Sequence, residues 1–345
     1  MPRPSFFRPP RLGLALQGGG AHGAFTWGVL DRLLEHDRLP VSAISGTSAG
    51  AMNAIALAQG LLQGGPDGAR AALQRLWTAV ASRVPAELFT AGNTGRPGFA
   101  PAARLFMHWA RSLSPYQFNP LGRNPLREVL AEQIDFERLR AESPVQLFIA
   151  ATHANSGRLR LFGNADLSVD AVLASTCLPT LHHAVVIDGE PYWDGGYSAN
   201  PALFPLVNAG VQDLLIVSLS PMMYTQAPVS TEEIHARALE FAFNASFVRE
   251  ARLIGESCAE ARESLWSFGR LERRLRQLRT HLIDAHDELS DLPGETRLIA
   301  HMPFLERLRD LGRARAERWL ADSGAQVGHG SSVDLARLFA PPGSR

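Results

Sequence analysis

The sequence contains no lysine, so all 34 of its basic side chains are arginines. This absence excludes three kinds of chemistry that need a lysine amine: a Walker-type phosphate loop, a Schiff-base intermediate and a Ser–Lys catalytic dyad. The arginines are balanced by 34 acidic residues, which gives a formal net charge of zero. Because a chain without excess charge generates no global field that attracts nucleic acid, we predict no nucleic-acid partner.

Cysteine is also scarce, and long apolar runs are missing. Only Cys177 and Cys258 occur, and neither belongs to a C-x-x-C pair, so we expect no disulfide framework and no zinc ribbon. Two isolated cysteines are typical of a reducing compartment. No run approaches the roughly 18 apolar residues that span a membrane, and Leu12–Leu16 is too short for a signal peptide. We therefore expect a soluble, cytoplasmic protein.

A regular β-α-β-α pattern lies near the beginning of the chain. Apolar strands are predicted at Leu12–Leu16 and Val41–Ile44. Helical spacing of apolar residues predicts helices from Ala24 to His36 and from Ala49 to Leu62. Alternating strands and helices indicate a parallel sheet with helices on both faces. In such sheets, ligands bind beyond the carboxyl ends of the strands.

The middle of the chain predicts further strands separated by loops. Asp188-Gly189 is a strong two-residue hairpin signal because apolar runs flank it on both sides. Strands are predicted at 145–152, 159–162, 185–187, 191–193 and 214–219. Segments rich in glycine, proline and asparagine are predicted to form loops at 63–68, 91–101 and 114–125.

Beyond residue 220 the spacing of apolar residues becomes helical. Residues 231 to about 289 are predicted to be largely helical, and 297–302 to form a last strand. We therefore divide the chain into an N-terminal extension (1–10), an α/β core (11–220) and a mainly helical region packed on that core (221–345).

The segment Gly46-Thr47-Ser48-Ala49-Gly50 fits the G-x-S-x-G nucleophile elbow. This motif is a sharp turn between a strand and a helix that presents a serine hydroxyl, and its glycines relieve the crowding around that serine. The preceding strand and the following helix supply the context that the motif requires. The alternative is a serine that only caps the helix.

Gly18-Gly19-Gly20 precedes a predicted helix and offers backbone N–H groups that can bind an oxyanion. With Gly23, these glycines also match the G-x-G-x-x-G pattern of dinucleotide-binding proteins. That function needs a carboxylate near the end of the second strand to hold a ribose. Here that strand ends in Ser45-Gly46-Thr47-Ser48, which disfavours a dinucleotide. A purely structural glycine turn remains open.

A serine nucleophile needs a base, and two residues compete for that role. Asp194 lies just past a strand and is followed by Gly195 and Gly196, where the backbone can turn the carboxylate inward. His153 follows another strand and is the best histidine for a three-part triad. The hairpin accounts fully for Asp188.

Other polar or reactive residues have simpler interpretations. His22 lies in the first turn of a helix, where it either binds an anionic headgroup or only packs and caps. Cys177 is expected to be a small buried apolar residue. Around 269–281, arginines alternate with leucines at helical spacing. Such a helix usually packs its leucines on the core, and the alternative is binding to a lipid surface.

Taken together, the motifs of this chain resemble those of the patatin-like phospholipases, particularly the bacterial branch. The resemblance rests on the glycine-rich segment from Gly18 to Gly23, on Gly46–Gly50 and on Asp194-Gly195-Gly196. Pro179 and Asn200-Pro201 also fit the family. The resemblance implies a three-layer α/β/α sandwich with a mainly parallel central sheet.

The resemblance also implies roles for individual residues. Ser48 would be the nucleophile and Asp194 the base of a Ser–Asp dyad, with no metal or organic cofactor. Backbone N–H groups would form the oxyanion hole, from Gly18, Gly19, Gly20 and Ala21. The family often carries an arginine where this chain has His22, so a fixed positive charge is not expected there.

These expectations define a lipid acyl hydrolase that cleaves a lipid or fatty-acyl ester, with peripheral contact at the membrane. A general carboxylesterase and a non-catalytic lipid-binding protein on the same fold are the alternatives. The apolar stretch Phe241–Val248 and the loops at 91–125 are expected to line an acyl pocket or to form a lid.

Overall fold

A central sheet of eight strands organises the chain in the computed structural model. The structure describes residues 11–36, 40–83, 89–90, 98–103, 105, 113–224, 226–264 and 269–341. The predicted N-terminal extension lies outside these residues. The strands of the sheet are β1 (Leu12–Leu16), β2 (Val41–Thr47), β5 (Gln146–His153), β6 (Leu159–Phe162), β7 (Val185–Ile187), β8 (Glu190–Asp194), β9 (Asp213–Ser218) and β10 (Arg279–Asp284). A separate two-stranded ribbon pairs β3 (Phe89–Thr90) with β4 (Gly98–Phe99).

The order of the strands is β10-β9-β1-β2-β5-β8-β7, and β6 pairs with β5 outside this path. The five strands from β10 to β5 are parallel, whereas β6, β7 and β8 join by antiparallel pairing. The sheet is therefore mainly parallel, as predicted, and three strands at one side of it pair in antiparallel fashion. The predicted hairpin between β7 and β8 is also present. Its two turn residues, Asp188 and Gly189, have positive φ angles of 53° and 83°, as a type I′ turn requires.

Helices cover both faces of the sheet. Their bounds are α1 (Gly23–Leu34), α2 (Ala49–Ser82), α3 (Pro115–Phe118), α4 (Pro125–Gln133), α5 (Phe136–Glu142), α6 (Val169–Ser175), α7 (Phe204–Ala209), α8 (Thr231–Glu263), α9 (Arg270–Gln277), α10 (His286–Leu289), α11 (Met302–Ser323) and α12 (Leu335–Leu338). Short 3₁₀ turns occur at Gly20–His22, Asn164–Asp166, Gly195–Tyr197, Gly294–Leu298 and Gly324–Gln326.

Alternate side chains of the buried strands supply two separate cores. In β9, Leu215 and Val217 pack with α1, α2 and α11 on one face. Leu214 and Ile216 pack with α7, α8 and α9 on the other face. Strands that are buried on both faces read as continuous apolar runs, which explains why β1 and β9 were predicted from the sequence. The fold is therefore a three-layer α/β/α sandwich, and this prediction is confirmed.

Several local predictions were wrong, among them the loops at 91–101 and 114–125, which contain β4 and α3. Residues 279–284 form the edge strand β10 instead of helix, because the leucine spacing of α9 continues past its end at Gln277 and hides the boundary. Residues 297–302 form no strand, because the 3₁₀ turn extends to Leu298 and α11 begins at Met302 with Pro303 in its first turn. The predicted loop at 63–68 is a kink at Gly64 and Gly65 within α2.

Two further features bear on the sequence analysis. Two leucines of the arginine-rich segment, Leu275 and Leu278, pack in the core as predicted, whereas Leu271 is exposed. Cys177 and Cys258 are also buried. None of the helices in the described part of the chain combines the length and the hydropathy needed to cross a lipid bilayer.

Candidate active site

Three chain turns meet at one edge of the sheet. The glycine loop follows β1, and Ser48 follows β2, which pairs with β1 in parallel, so both turns lie at the carboxyl edge. Asp194 ends β8, two strands away. The register places Thr47 opposite Ala150 and Asp194 opposite Ala151, so Asp194 lies level with Ser48. The sheet therefore places the predicted nucleophile and base level with each other at this edge, with one strand between them.

Ser48 has the strained backbone of a nucleophile elbow. Its φ of 54° and ψ of −121° are unfavourable for a residue with a side chain, and such strain is typical of functional sites. The Ser48 side chain makes no capping hydrogen bond to α2, so the helix-cap alternative does not account for it. The glycine loop comes so close that a Cβ atom on Gly18 would lie 2.8 Å from the Ser48 Cβ.

The Asp194 carboxyl group is completely buried. Its Oδ1 accepts a 2.8 Å hydrogen bond from the Gly196 amide. Burial raises the pKa of Asp194 to about 7, and hydrogen bonding from the Gly196 amide and the Ser48 hydroxyl partly opposes that rise. Oδ2 has no hydrogen-bond partner within the described residues. Catalytic hydrogen bonds are often long before substrate binds.

The four predicted oxyanion donors are not equivalent. The Gly18 amide donates a 2.7 Å hydrogen bond to Oδ1 of Asn200. In the described part of the chain, the amides of Gly19, Gly20 and Ala21 donate no hydrogen bond to another protein group. Gly20 has a φ of 59°, and a Cβ atom there would lie 2.2 Å from the Arg297 carbonyl oxygen. The loop therefore presents up to three unused amides and needs glycine at that position.

Neither histidine singled out from the sequence is positioned as a base for Ser48. His22 is buried, and its Nε2 lies 2.7 Å from Thr296 Oγ1. Burial, together with the charge on Arg297, lowers the pKa of His22 to about 3, so the ring is neutral near pH 7. Both ring nitrogens of His153 are engaged elsewhere, at 2.7 Å from the hydroxyl of Ser156 and from the carboxylate of Glu190.

Sequence reasoning missed Gln17, which organises the glycine loop. Its side chain is buried and makes five hydrogen bonds: Oε1 accepts from Ser218, Leu219 and Ser220, and Nε2 donates to Asn200 and Asn244. In the sequence, the only indication of this role was that a single polar residue lies between the apolar strand β1 and the glycines. A buried polar side chain is normally retained only where its hydrogen bonds are satisfied.

Helix α8 covers this edge of the sheet. Asn244 bonds Gln17 at 2.9 Å, and the Phe243 ring lies 4.6 Å from the ring of Tyr197, just after Asp194. Glu240 forms a 3.0 Å ion pair with Arg297, whose carbonyl contacts the glycine loop. Within the stretch Phe241–Val248, both end residues are exposed. Residues 91–97, 104 and 106–112 of the predicted lid loops lie outside the described residues.

A comparison with models of protein families identifies the family to which this chain belongs. The model of the family described as Patatin-like phospholipase matches residues 14–207, which is more than half of the chain and includes both glycine motifs and Asp194. The chain therefore belongs to the patatin-like phospholipases, a family of lipid hydrolases.

Individual relatives share little sequence identity with this chain. The uncharacterized protein YjjU of Escherichia coli K12 is 26% identical over 223 residues, which cover 64% of this chain and 55% of YjjU. The chain thus matches about half the length of this relative. VipD from Legionella pneumophila aligns with a TM-score of 0.40 and 16% identity over 91% of this chain and 67% of VipD. ExoU, in its complex with SpcU from Pseudomonas aeruginosa, aligns with a TM-score of 0.31 and 19% identity over 91% and 52%. Because both TM-scores are below 0.5, these two alignments support no statement about the function of this chain.

Proposed function

We propose that this protein is a serine acyl hydrolase that cleaves carboxylic esters of lipids through a Ser48–Asp194 dyad. The observation that carries the proposal is a strained serine beside a buried carboxyl group whose pKa is raised to about 7. A group with that pKa can accept a proton near neutral pH and return it, as a general acid–base catalyst must. An aspartate with its ordinary pKa would be a much weaker base.

The proposed reaction has two steps. Ser48 Oγ attacks the ester carbonyl carbon while Asp194 takes the hydroxyl proton and then passes it to the leaving alcohol. Amides of Gly19, Gly20 and Ala21 stabilise the negative oxygen of the tetrahedral intermediate, an effect worth about 3–4 kcal/mol for a strong donor. Asp194 then activates water, which releases the fatty acid from Ser48. No metal or organic cofactor takes part in these steps.

A lipid substrate is supported by the surface beside the site as well as by the family. The segment that runs from the end of β9 into α8 exposes an unusual set of large apolar side chains, Met223, Val229, Ile234, Leu239 and Phe241. Exposed apolar patches mark binding surfaces. We propose that this patch contacts the lipid and that the protein acts in the cytoplasm, peripherally at membranes. The region beyond residue 220 would then serve the catalytic core by carrying this surface.

Ester hydrolysis by three variants tests the proposal. Wild type should hydrolyse a medium-chain p-nitrophenyl ester and a phospholipid in mixed micelles, and Ser48→Ala and Asp194→Asn should lose at least about a thousandfold in kcat, as expected for members of a catalytic unit. Ser45→Ala is a matched control, because Ser45 lies three residues before Ser48, is completely buried in β2, and has a hydroxyl with no hydrogen-bond partner within the described residues.

The same assay separates the alternatives. Turnover of soluble short-chain esters but not of micellar lipids would favour a general carboxylesterase. Binding of lipid by a folded wild type that hydrolyses neither substrate would favour a non-catalytic lipid-binding protein. Activity that survives Asp194→Asn would contradict the dyad.

A further inference from the structure

Ser175 joins the nucleophile elbow from a distant part of the chain. It is the last residue of α6, and its side chain is completely buried. Its Oγ accepts a 3.0 Å hydrogen bond from the backbone N–H of Ser48. This is the hydrogen bond that the structure records for the Ser48 amide, in a residue whose φ of 54° needs support from its surroundings.

The same short segment also holds the proposed base. Two residues after Ser175, the carbonyl oxygen of Cys177 accepts a 2.7 Å hydrogen bond from the backbone N–H of Asp194. Cys177 is itself fixed in place, because it is buried and its thiol donates to the His183 carbonyl oxygen at 3.0 Å. Ser175 therefore binds the backbone of Ser48, and Cys177, two residues later, binds the backbone of Asp194.

Such a link is needed because the sheet does not join the two residues directly. Ser48 follows β2 and Asp194 ends β8, but β5 lies between these strands. No ladder hydrogen bond therefore connects β2 with β8, and their separation at the carboxyl edge depends on two successive strand pairings. The segment 175–177 crosses this interval with one hydrogen bond to each side.

We propose that Ser175 is a positioning residue, which sets the distance and angle between Ser48 Oγ and the Asp194 carboxyl group through the Ser48 amide. The proposal rests on the proposed function. Ser175 touches neither the substrate nor the transferred proton. It acts through the backbone of the nucleophile, and misplacement of a reacting group by about 1 Å can reduce a rate by about a hundredfold.

Two variants that each remove one buried hydroxyl test this role. Ser175→Ala removes the acceptor for the Ser48 amide. Thr176→Val is the matched control, since the Thr176 hydroxyl is also buried but bonds only to the carbonyls of Val172 and Leu173 within its own helix. Ser175→Thr keeps the hydroxyl and serves as the rescue variant. Each is assayed for kcat and KM with the p-nitrophenyl ester, and for the rate and final stoichiometry of labelling by an alkyl fluorophosphonate.

A positioning role predicts a specific pattern. Ser175→Ala should lower kcat and the labelling rate constant about 10- to 100-fold, with KM nearly unchanged and labelling still reaching one per chain. Thr176→Val should keep the wild-type rates, and Ser175→Thr should recover at least part of the loss. Labelling of only a fraction of the Ser175→Ala chains, at the wild-type rate, would instead show a structural role and overturn the proposal.

Two other outcomes would also overturn it. Wild-type rates in Ser175→Ala would show that the Ser48 amide needs no such support, while leaving the Ser–Asp dyad intact. A folded wild type that neither hydrolyses the ester nor reacts with the fluorophosphonate would refute the proposed function and, with it, the role of Ser175. Thermal denaturation of every variant confirms that folded proteins are compared.

Discussion

The amide of Gly18 and the side chain of Asn200 are joined by a 2.7 Å hydrogen bond across 182 residues of sequence. Asn200 is buried, and its own carbonyl oxygen accepts from Gln17, the residue before Gly18. The bond therefore holds the glycine loop against the turn that follows Asp194. It also uses an amide that would otherwise be free to bind an oxyanion.

Removal of the Asn200 side chain should loosen this loop. Asn200→Ala leaves the buried Gly18 amide without an acceptor, which typically costs about 1–3 kcal/mol. We expect a loss of that size in the free energy of unfolding, measured by denaturant titration, and a fall of at least about 10-fold in kcat, because the neighbouring amides are no longer held in place.

Asn164→Ala is a suitable control for this experiment. Asn164 makes the same kind of bond away from the site, since its Oδ1 accepts from the Leu147 amide at 2.8 Å. The control should lose stability but keep its kcat. Equal losses of kcat in both variants would show that the activity depends only on general stability.

The activity should rise with pH through the titration of Asp194. Burial raises the pKa of this group to about 7, and only the carboxylate can accept the Ser48 proton. We therefore expect kcat/KM to increase tenfold per pH unit below about 7 and to level off above it. His22→Gln should leave the midpoint of this profile unchanged, because burial and Arg297 lower the pKa of His22 to about 3. A midpoint that moves in His22→Gln would assign the titration to the histidine.

The buried carboxyl group should also destabilise the folded protein. Asp194 has a pKa of about 7 when folded and 3.8 when unfolded, so unfolding releases a proton between these values. The contribution of Asp194 to stability is therefore most favourable below pH 4, falls as pH rises from 4 to 7, and is then lower by up to roughly 4 kcal/mol at 1.36 kcal/mol per pKa unit. In the variant Asp194→Asn, the side-chain oxygen can still accept the hydrogen bond from the Gly196 amide, but the group does not ionise.

Asp194→Asn should consequently unfold at a higher temperature than wild type at pH 8, and the difference should shrink towards pH 4. Calorimetry at both pH values measures it. A variant that is less stable than wild type at pH 8 would contradict the burial of an ionisable group at this position.

A second buried aspartate, Asp213, lies far from the site, and its ionised form should stabilise the folded protein. Asp213 begins β9 and accepts from Arg279, His281 and the Gly328 amide. Burial alone would raise its pKa, but these hydrogen bonds outweigh burial and hold the pKa of Asp213 well below its usual range. This contribution to stability is present above the unfolded pKa near 4 and is lost as pH falls towards the folded value.

Asp213→Asn leaves the Arg279 charge without its partner and should cost about 3–5 kcal/mol at pH 7, as is usual when one member of a buried pair is removed. Urea titrations at pH 7 and pH 3 should show the larger loss at pH 7, because the contribution of Asp213 is lost only below about pH 4. The kcat of the folded variant should stay near the wild-type value, since Asp213 lies at the opposite end of its strand. A large loss of kcat without a loss of stability would contradict this interpretation.

The parts of the site that were predictable from sequence are local ones. The turn at Ser48 and the glycine loop each occupy a few consecutive residues between a strand and a helix, so their motifs contain their own context. Asp194 was less certain, because a base is defined by its distance from the nucleophile, and its assignment needed the family resemblance. Buried strands such as β9 were predictable from apolar runs alone.

The contacts that hold the site together depend on residues far apart in the chain. Nothing in the neighbourhood of Ser175 or Asn200 indicates that each binds an amide more than a hundred residues away. Strand β10 was missed for a related reason: Leu278 and Leu282 continue the helical spacing of α9, and pairing with β9 decides their structure. Tertiary contacts override local pattern in both cases.

Covalent labelling of Ser48 tests the central claim most directly. Wild type and Ser48→Ala are treated with an alkyl fluorophosphonate at pH 8, and the modified residue is located by peptide mass spectrometry. We predict one adduct per chain, on Ser48, absent in Ser48→Ala and formed far more slowly in Asp194→Asn. An adduct on another residue, or none on a folded wild type, would contradict the assignment of Ser48 as an activated nucleophile.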